Sequence, residues 1–350
     1  MIIKDRNYPI RLRMYEALLN RLKENCSRRG EIEDDYKGWR AGYKGELQTD
    51  YRLSFLPEKD YWILRDLRLK DGIWHFQIDT LIITHSYILL IETKNYSGAI
   101  YFEKNSEQMI QSKQDKEKAY DNPVLQVKKQ KWHLNRWLVA HNFKVPPIFI
   151  MVAISNPSTI IKTNDSKLYQ HVVKGDVLVD RIRKMENTNL KDFFSEKEMK
   201  KLSKTLVKKH TPLYPEILKT YSLAEKDLHK GVQCPSCSAF GMRRMKRKWV
   251  CHNCSFHSRT AHLMSVVDFF LLIKPTLTNS ELSEFLLIQN PRAIGNMLSS
   301  MNLSSSGSNK ARIYHMPEDF ETFIQLAQEK YDSFHNLSKP KKPGKKIPRL

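Results

Sequence analysis

The stretch Tyr87-Ile88-Leu89-Leu90-Ile91-Glu92-Thr93-Lys94-Asn95 decides how the rest of the chain is read. Its apolar start is a short β-rich run, and Glu92 and Lys94, two apart at its end, project to one face. The preceding run, Trp74-His75-Phe76-Gln77-Ile78-Asp79-Thr80-Leu81-Ile82-Ile83, is also β-rich, and Thr84-His85-Ser86 forms the expected hairpin turn between them. Asp79, Glu92 and Lys94 therefore interrupt otherwise apolar strands, where an unpaired charge is costly to bury. Two carboxylates side by side raise one pKa unless a cation lies between them. Mg²⁺, or Mn²⁺, resolves both problems with the oxygen donors it prefers. Lys94 beside it could stabilise charge on a scissile phosphate or orient the attacking water, a complete set for metal-assisted phosphodiester hydrolysis. A bland alternative, a surface salt bridge made by the same three residues, stays open on spacing alone.

Outward from this stretch, the 350 residues carry 59 Lys+Arg against 38 Asp+Glu, a formal net charge of +21. That length suggests two or three domains. The charge favours nucleic acid as partner ahead of an anionic membrane. No apolar run approaches the roughly 18 residues of a membrane span, and the start lacks the pattern of a secretory leader. Five cysteines, four of them in two close pairs, point to a metal in a reducing compartment, so a cytoplasmic protein is expected. A homo-oligomer is left open.

Along the chain, residues 1–35 read as an N-terminal helical segment. Gly42 and Gly45 read as a turn before a helix over 46–55. The polar span 104–122 reads as a loop, and Asn122-Pro123 opens a long helix to Ala140. Ile148–Ile154 reads as a strand covered on both faces. A short strand at His171-Val172-Val173 and a helix over 176–185 follow, and then a helix capped by Ser195 and Glu198. These elements make a mixed α/β domain over 36–210. A linker (211–230), a cysteine-bearing unit (231–260), a helix-and-hairpin unit (261–320) and a terminal helix with a basic, disordered tail (321–350) complete the organisation.

Gly45-Glu46, Gln77-Ile78-Asp79, Ile91-Glu92-Thr93-Lys94-Asn95-Tyr96-Ser97-Gly98 and Asn122-Pro123 with Gln126 together resemble the NERD (nuclease-related domain) family, over about residues 36–175. The resemblance implies a PD-(D/E)xK restriction-endonuclease-like mixed sheet flanked by helices. It makes Asp79 and Glu92 metal ligands, with the Thr93 carbonyl a further ligand, and Lys94 the catalytic lysine. Glu46 and Gln126 would approach from neighbouring helices, and Gln77 would line the site. Relatives often have His after the motif aspartate, where this chain has Thr80.

Cys234-Pro235-Ser236-Cys237 and Cys251-His252-Asn253-Cys254 form two CxxC knuckles with a spacing that indicates one structural Zn²⁺. Between them Arg243, Arg244, Lys246, Arg247 and Lys248 surround Trp249, which predicts phosphate binding with base stacking. The segment resembles the zinc ribbon appended to bacterial topoisomerases. Beyond it, a box at Thr278–Glu281 and Asn290-Pro291 open two helices before a Gly307 hairpin. This resembles a winged helix-turn-helix that offers Arg292, Asn296 and Ser299 to DNA. The expected function is a Mg²⁺-dependent nuclease acting on DNA rather than RNA, delivered by ribbon and winged helix. The alternative is a non-catalytic DNA-binding or regulatory protein on a nuclease scaffold.

Overall fold

The computed structural model describes residues 1–186, 190–308 and 311–332. Two compact units divide the chain: Met1–Tyr8 with Lys37–Leu213, and Pro9–Tyr36 with the residues from Tyr214 onward. The N-terminal segment is thus not one helical piece. β1 (Ile2–Lys4) belongs to the first unit and α1 (Ile10–Arg21) to the second, and the division falls within α2 (Arg29–Leu53).

In the first unit β2 (Trp62–Asp71), β3 (Trp74–Ile83) and β4 (Ile88–Lys94) form an antiparallel meander. The turn expected at Thr84-His85-Ser86 closes through Thr84 Oγ1, which accepts from the amides of Ser86 and Tyr87 at 3.2 and 3.0 Å. Then come β5 (Ala99–Phe102), β6 (Met109–Lys113), β7 (Lys116–Tyr120), α3 (Pro123–Ala140), β8 (Ile148–Ile154), β9 (Ile160–Thr163), β10 (Val172–Lys174), α4 (Leu178–Glu186) and α5 (Glu196–Lys208). The main sheet has the order β1-β2-β3-β4-β8-β10, with β8 parallel to both β4 and β10. A second sheet, β7-β6-β5-β9, contains the polar stretch expected to be a loop. Its β6–β7 turn holds Gln114 and Asp115 both at positive φ, a left-handed two-residue turn without the glycine that usually advertises it.

Alternation sorts the sheet into two cores. Ile88 and Leu90 pack with Val127, Leu134 and Leu202 from α3 and α5, whereas Leu89 and Ile91 pack with Leu53, Leu178 and Ile182 from α2 and α4. A polar residue on a central strand is therefore carried into a layer between sheet and helix, which is where Glu92 lies.

The turn expected at Gly42 and Gly45 does not exist, because α2 runs through both. Gly45 has another use. A β-carbon there would come within 2.6 Å of Asn95 Cβ and of Ser155 Oγ, whereas one at Gly42 would meet nothing within 4 Å. The absent side chain lets α2 approach the ends of β4 and β8. Gly45→Ala is expected to destabilise the first unit by about 1–3 kcal/mol through overpacking, despite alanine's better helix propensity. Gly42→Ala should be neutral or stabilising. Thermal unfolding of the two variants side by side checks this.

The second unit contains α6 (Ile217–Thr220), β11 (Arg243–Met245), β12 (Lys248–Val250), β13 (His257–Ser258), α7 (His262–Leu272), β14 (Thr276–Thr278), α8 (Asn279–Leu286), α9 (Pro291–Ser299), β15 (Ser305–Ser306), β16 (Ile313–His315) and α10 (Phe320–Asp332). The expected linker is packed structure: Tyr221 is buried, and its hydroxyl bonds Asp35 and Tyr15 at 2.6 and 2.8 Å. Ribbon and helices share one core that includes Leu18, Val232, Trp249, Phe269 and Leu282. From α7 the order is helix-strand-helix-helix-strand-strand, with a β14-β16-β15 sheet, as a winged helix requires. The basic tail from Lys339, and residues 309–310 of the hairpin expected around Gly307, lie outside the described residues. Among the described residues no helix is long and apolar enough to cross a membrane.

Candidate functional site

The carboxylates and lysine of the two strands come together in the middle of the main sheet, where β3 passes the C-terminal end of β4. Lys94 Nζ lies 2.7 Å from Glu92 Oε1, and Glu92 is only 1% exposed. Asp79 Oδ2 accepts the Thr93 amide at 2.9 Å, which ties β3 to the end of β4. Asp79 stands where the β2–β3 ladder is interrupted. Pairing resumes on either side, Arg65 with Thr80 and Leu67 with Ile78, while Asp66 adopts a φ of 48°. The freed Asp79 carbonyl accepts instead from Arg6 Nη2 at 2.8 Å. Strain of this kind, about 1–3 kcal/mol for a left-handed non-glycine, persists where the surroundings enforce it.

Charge crowding sets the protonation of the site. Burial, then Glu92 and Glu46, hold the Asp79 carboxyl well above the ordinary carboxylate range, against the pull of Lys94 and the Thr93 amide. Burial disfavours charged Lys94, but Glu92 and Asp79 outweigh it, so its pKa lies above the usual lysine value. Lys94 is thus a fixed cation at neutral pH. Burial also raises Glu46; Arg6 opposes this, and Asp66, Asp50 and Glu92 add to it, leaving a pKa of about 7.

Arg6 is the site residue that sequence reading missed. Its guanidinium reaches Glu46 Oε2 at 2.6 Å and Asp50 Oδ2 at 2.8 Å with a side chain 3% exposed. Asp50, 5% exposed, is a second omission. No local signal marks Arg6, because its role depends on β1 joining the far edge of the sheet. Of the expected residues, Asp79, Glu92, Thr93, Lys94 and Glu46 are brought together. Gln126 is not: it is exposed on α3, and the amide on Glu92 belongs to Gln130, whose Nε2 donates to Oε2 at 2.7 Å. The buried stripe of α3 includes Val127, Gln130 and Leu134. A helical period drawn through them would have singled out Gln130 as the polar member. Gln77 is exposed and donates to Asp66 at 2.7 Å. At the position of the family histidine, Thr80 is fully buried, with a hydroxyl that has no partner.

This donor set fits a hard divalent cation, since its crowded carboxylate oxygens are partly forced to hold protons in its absence. A pH dependence follows. A carboxyl whose pKa is raised by folding binds more protons folded than unfolded, so stability falls as pH rises towards and through about 7, the value for Glu46. Mg²⁺ that replaces those protons should relieve the loss. The melting-temperature gain from Mg²⁺ is therefore expected to grow from pH 6 to pH 8. A pH-independent gain in thermal-shift measurements would contradict the assignment.

In the second unit the four cysteine sulfurs lie within 4.8 Å of one another. Cys234 and Cys254 are 3.6 Å apart, and Cys237 and Cys251 3.5 Å. A tetrahedral Zn²⁺ with Zn–S bonds of about 2.3 Å needs sulfurs about 3.8 Å apart, so the cluster fits. Both knuckles are built alike. Ser238 and Ser255 each take positive φ and donate their amides to Cys234 and Cys251 carbonyls at 2.9 and 3.1 Å. Burial pushes the Cys234 thiol up to about 12, whereas donors from Asn253 and the Ala239 amide bring Cys237 down to about 6. Cys237 is thus ready to ligate as thiolate, while Cys234 must release a proton to do so.

The basic hairpin between the knuckles is only partly as expected. Arg243, Lys246, Arg247 and Lys248 are exposed. Trp249, however, is fully buried; it donates to His262 Nδ1 at 3.1 Å and lies under Arg244, 5.2 Å from the ring centre. Arg244 and Trp249 are direct cross-strand partners on the inner face, so strand alternation removes both from the open surface. Stacking by Trp249 is therefore corrected to a packing role. Phe240 is half-buried and stacked on His229. Arg292, Asn296 and Ser299 share one exposed face of α9.

Residues 41–155 match the family model described as the nuclease-related domain. An uncharacterized protein of Bacillus anthracis is 27% identical over 135 residues, 38% of this chain and 61% of that relative. The chain thus spans about three fifths of the length of the curated relative it matches. No solved structure matches it. The matched span covers Gly45, the strained β2–β3 ladder, the Glu92–Lys94 strand end and Gln130, so the similarity to the nuclease-related domain family falls on the residues that build this site.

Proposed function

We propose that the first unit hydrolyses phosphodiester bonds in nucleic acid, DNA in preference to RNA, with Mg²⁺ or Mn²⁺ held by Asp79, Glu92 and the Thr93 carbonyl. The observation that carries this reading is a charged Lys94 clamped 2.7 Å from the buried Glu92 carboxylate, beside Asp79 of the neighbouring strand. When bound, the cation would polarise the phosphoryl group and supply an acidified water. Lys94, held protonated, acts as an electrostatic partner for the phosphate rather than as a base. Gln130 fixes the second oxygen of Glu92. Glu46, with a pKa of about 7, is tuned to pass a proton at neutral pH. The exposed basic residues of the ribbon and the Arg292–Asn296 face of α9 would hold the polyanion near the site. This reading suits a reducing cytoplasm, where thiolates stay available for zinc.

A second reading is favoured by Arg6. A guanidinium on Glu46, Asp50 and the Asp79 carbonyl neutralises much of the cluster without any metal, as a non-catalytic scaffold would require. Incubation with single-stranded DNA, duplex DNA and RNA, with and without Mg²⁺ or Mn²⁺, separates the two. Divalent-dependent cleavage supports the first reading. Intact substrates in every condition, with no thermal shift on adding Mg²⁺, establish the second.

A further inference from the structure

The β2–β3 hairpin outruns the sheet beside the carboxylate site. Thr80 pairs with Ile91, so Gln77 is level with Lys94 three residues on, and Gln77 pairs with Arg68. The hairpin continues three residues further, to Asp71 opposite Trp74, a projection of roughly 10 Å at about 3.3 Å per residue. Its two-residue turn is Gly72-Ile73, with Gly72 at a φ of 62°. A turn of this kind needs no bulky apolar residue. Nevertheless Ile73 is 82% exposed and Trp74 67% exposed.

The arm is held, not loose. Asp71 Oδ2 receives His133 Nδ1 at 2.9 Å and Arg136 Nε at 3.1 Å, both from α3. His133 stacks on Phe76 of the arm at 5.3 Å between ring centres. Beside this latch Trp132 is 53% exposed, with the Arg136 guanidinium 4.7 Å from its ring centre. The surrounding charge has one sign. α3 contains no acidic residue, and its outer face presents Lys128, Lys129 and Arg136. The arm adds exposed Lys70 and His75, while its only acidic residue between Leu67 and Gln77, Asp71, is already paired.

Open indole rings among cations, pinned next to a carboxylate site, match a polyanion with accessible flat faces. Bases within a duplex are occluded by their neighbours, whereas unpaired bases stack on aromatic side chains regardless of sequence. We infer that the β2–β3 arm and the outer face of α3 form a stacking platform for unpaired bases, which feeds single-stranded or frayed nucleic acid to the site. Only the last clause rests on the hydrolytic reading.

The test uses the full chain without added Mg²⁺ or chelator, so that binding is read without cleavage or zinc loss. Fluorescence anisotropy measures affinity for a labelled oligo-dT 20-mer and for a blunt 20-base-pair duplex. Trp74→Ala and Trp132→Ala are each expected to weaken oligo-dT binding about tenfold, with duplex binding changed less than twofold, and Trp74→Phe should retain most of the affinity. The slope of log affinity against log salt should not move, because no cation is removed. Both indoles are exposed, and unchanged melting temperatures verify folding. Unaltered oligo-dT affinity in the double variant overturns the platform and leaves a protein contact as the use of this patch, and equal losses on both substrates overturn it in favour of a nucleic-acid contact with no preference for unpaired bases. Cleavage with Mg²⁺ is scored separately. A wild type that cleaves beside a double variant of unaltered affinity sinks the platform alone, and an inert wild type whose variants lose oligo-dT sinks the hydrolytic reading alone.

Discussion

Replacing Lys94 by methionine, which keeps the stem and deletes the charge, is expected to lower divalent-dependent cleavage by about 10²–10⁴-fold. That range is typical of removing one preorganised electrostatic group from a transition state. Lys94 is also the cation against Glu92, which is 1% exposed, so the substitution leaves a buried carboxylate held by the Gln130 amide without its cation. Breaking a fully buried pair costs about 3–5 kcal/mol, and the quarter exposure of the Lys94 side chain should reduce that figure. Mg²⁺, free to replace the lost cation, should then stabilise the variant at least as well as the wild type. The expected signature is a lost rate with a retained Mg²⁺ thermal shift. Asp79→Asn should lose both, since it removes a ligand and one of the charges that crowd the site. Cleavage rates and thermal shifts on the two variants separate these outcomes. Wild-type rates in both would remove the strand-end residues from the chemistry.

Zinc removal should have the larger structural effect. Metal analysis under reducing conditions is expected to find one Zn²⁺ per chain, bound by Cys234, Cys237, Cys251 and Cys254. Thiolate ligation supplies about 10–16 kcal/mol in small zinc modules, comparable to the whole stability of a domain. Cys234, Val232, Met242 and Trp249 belong to the same core as Phe269 and Leu282, so damage should not stop at residue 260. In Cys234→Ser or after chelation, amide-exchange protection should fall in the ribbon and in α7 and α8 together. The near-ultraviolet signal of buried Trp249 should collapse with it. Stripped protein that keeps protection in α7 and α8 would show that the helices stand without the ribbon.

Sequence by itself determined those features whose physics is local. Apolar β-rich runs interrupted by Asp79, Glu92 and Lys94 announced a hairpin with charged residues at its end, and the two-residue spacing puts Glu92 and Lys94 on one face, where they pair. The Asn122 cap, the Ser195–Glu198 box and the Thr278–Glu281 box each form between residues within three positions of one another. The paired CxxC knuckles are equally self-contained, since each closes on its own backbone. Tertiary structure alone decided which groups share a site across long separations. Arg6 meets Asp79 only because β1 joins β2 at the sheet edge. Gln130, not Gln126, reaches Glu92 because the rotation of α3 is set by its buried stripe. Gly45 reads as a turn until the strand ends crowd it, and Trp249 reads as a stacking surface until alternation turns it inward. In each case the deciding energy is burial against a distant element, which acts only once the chain has brought that element into contact.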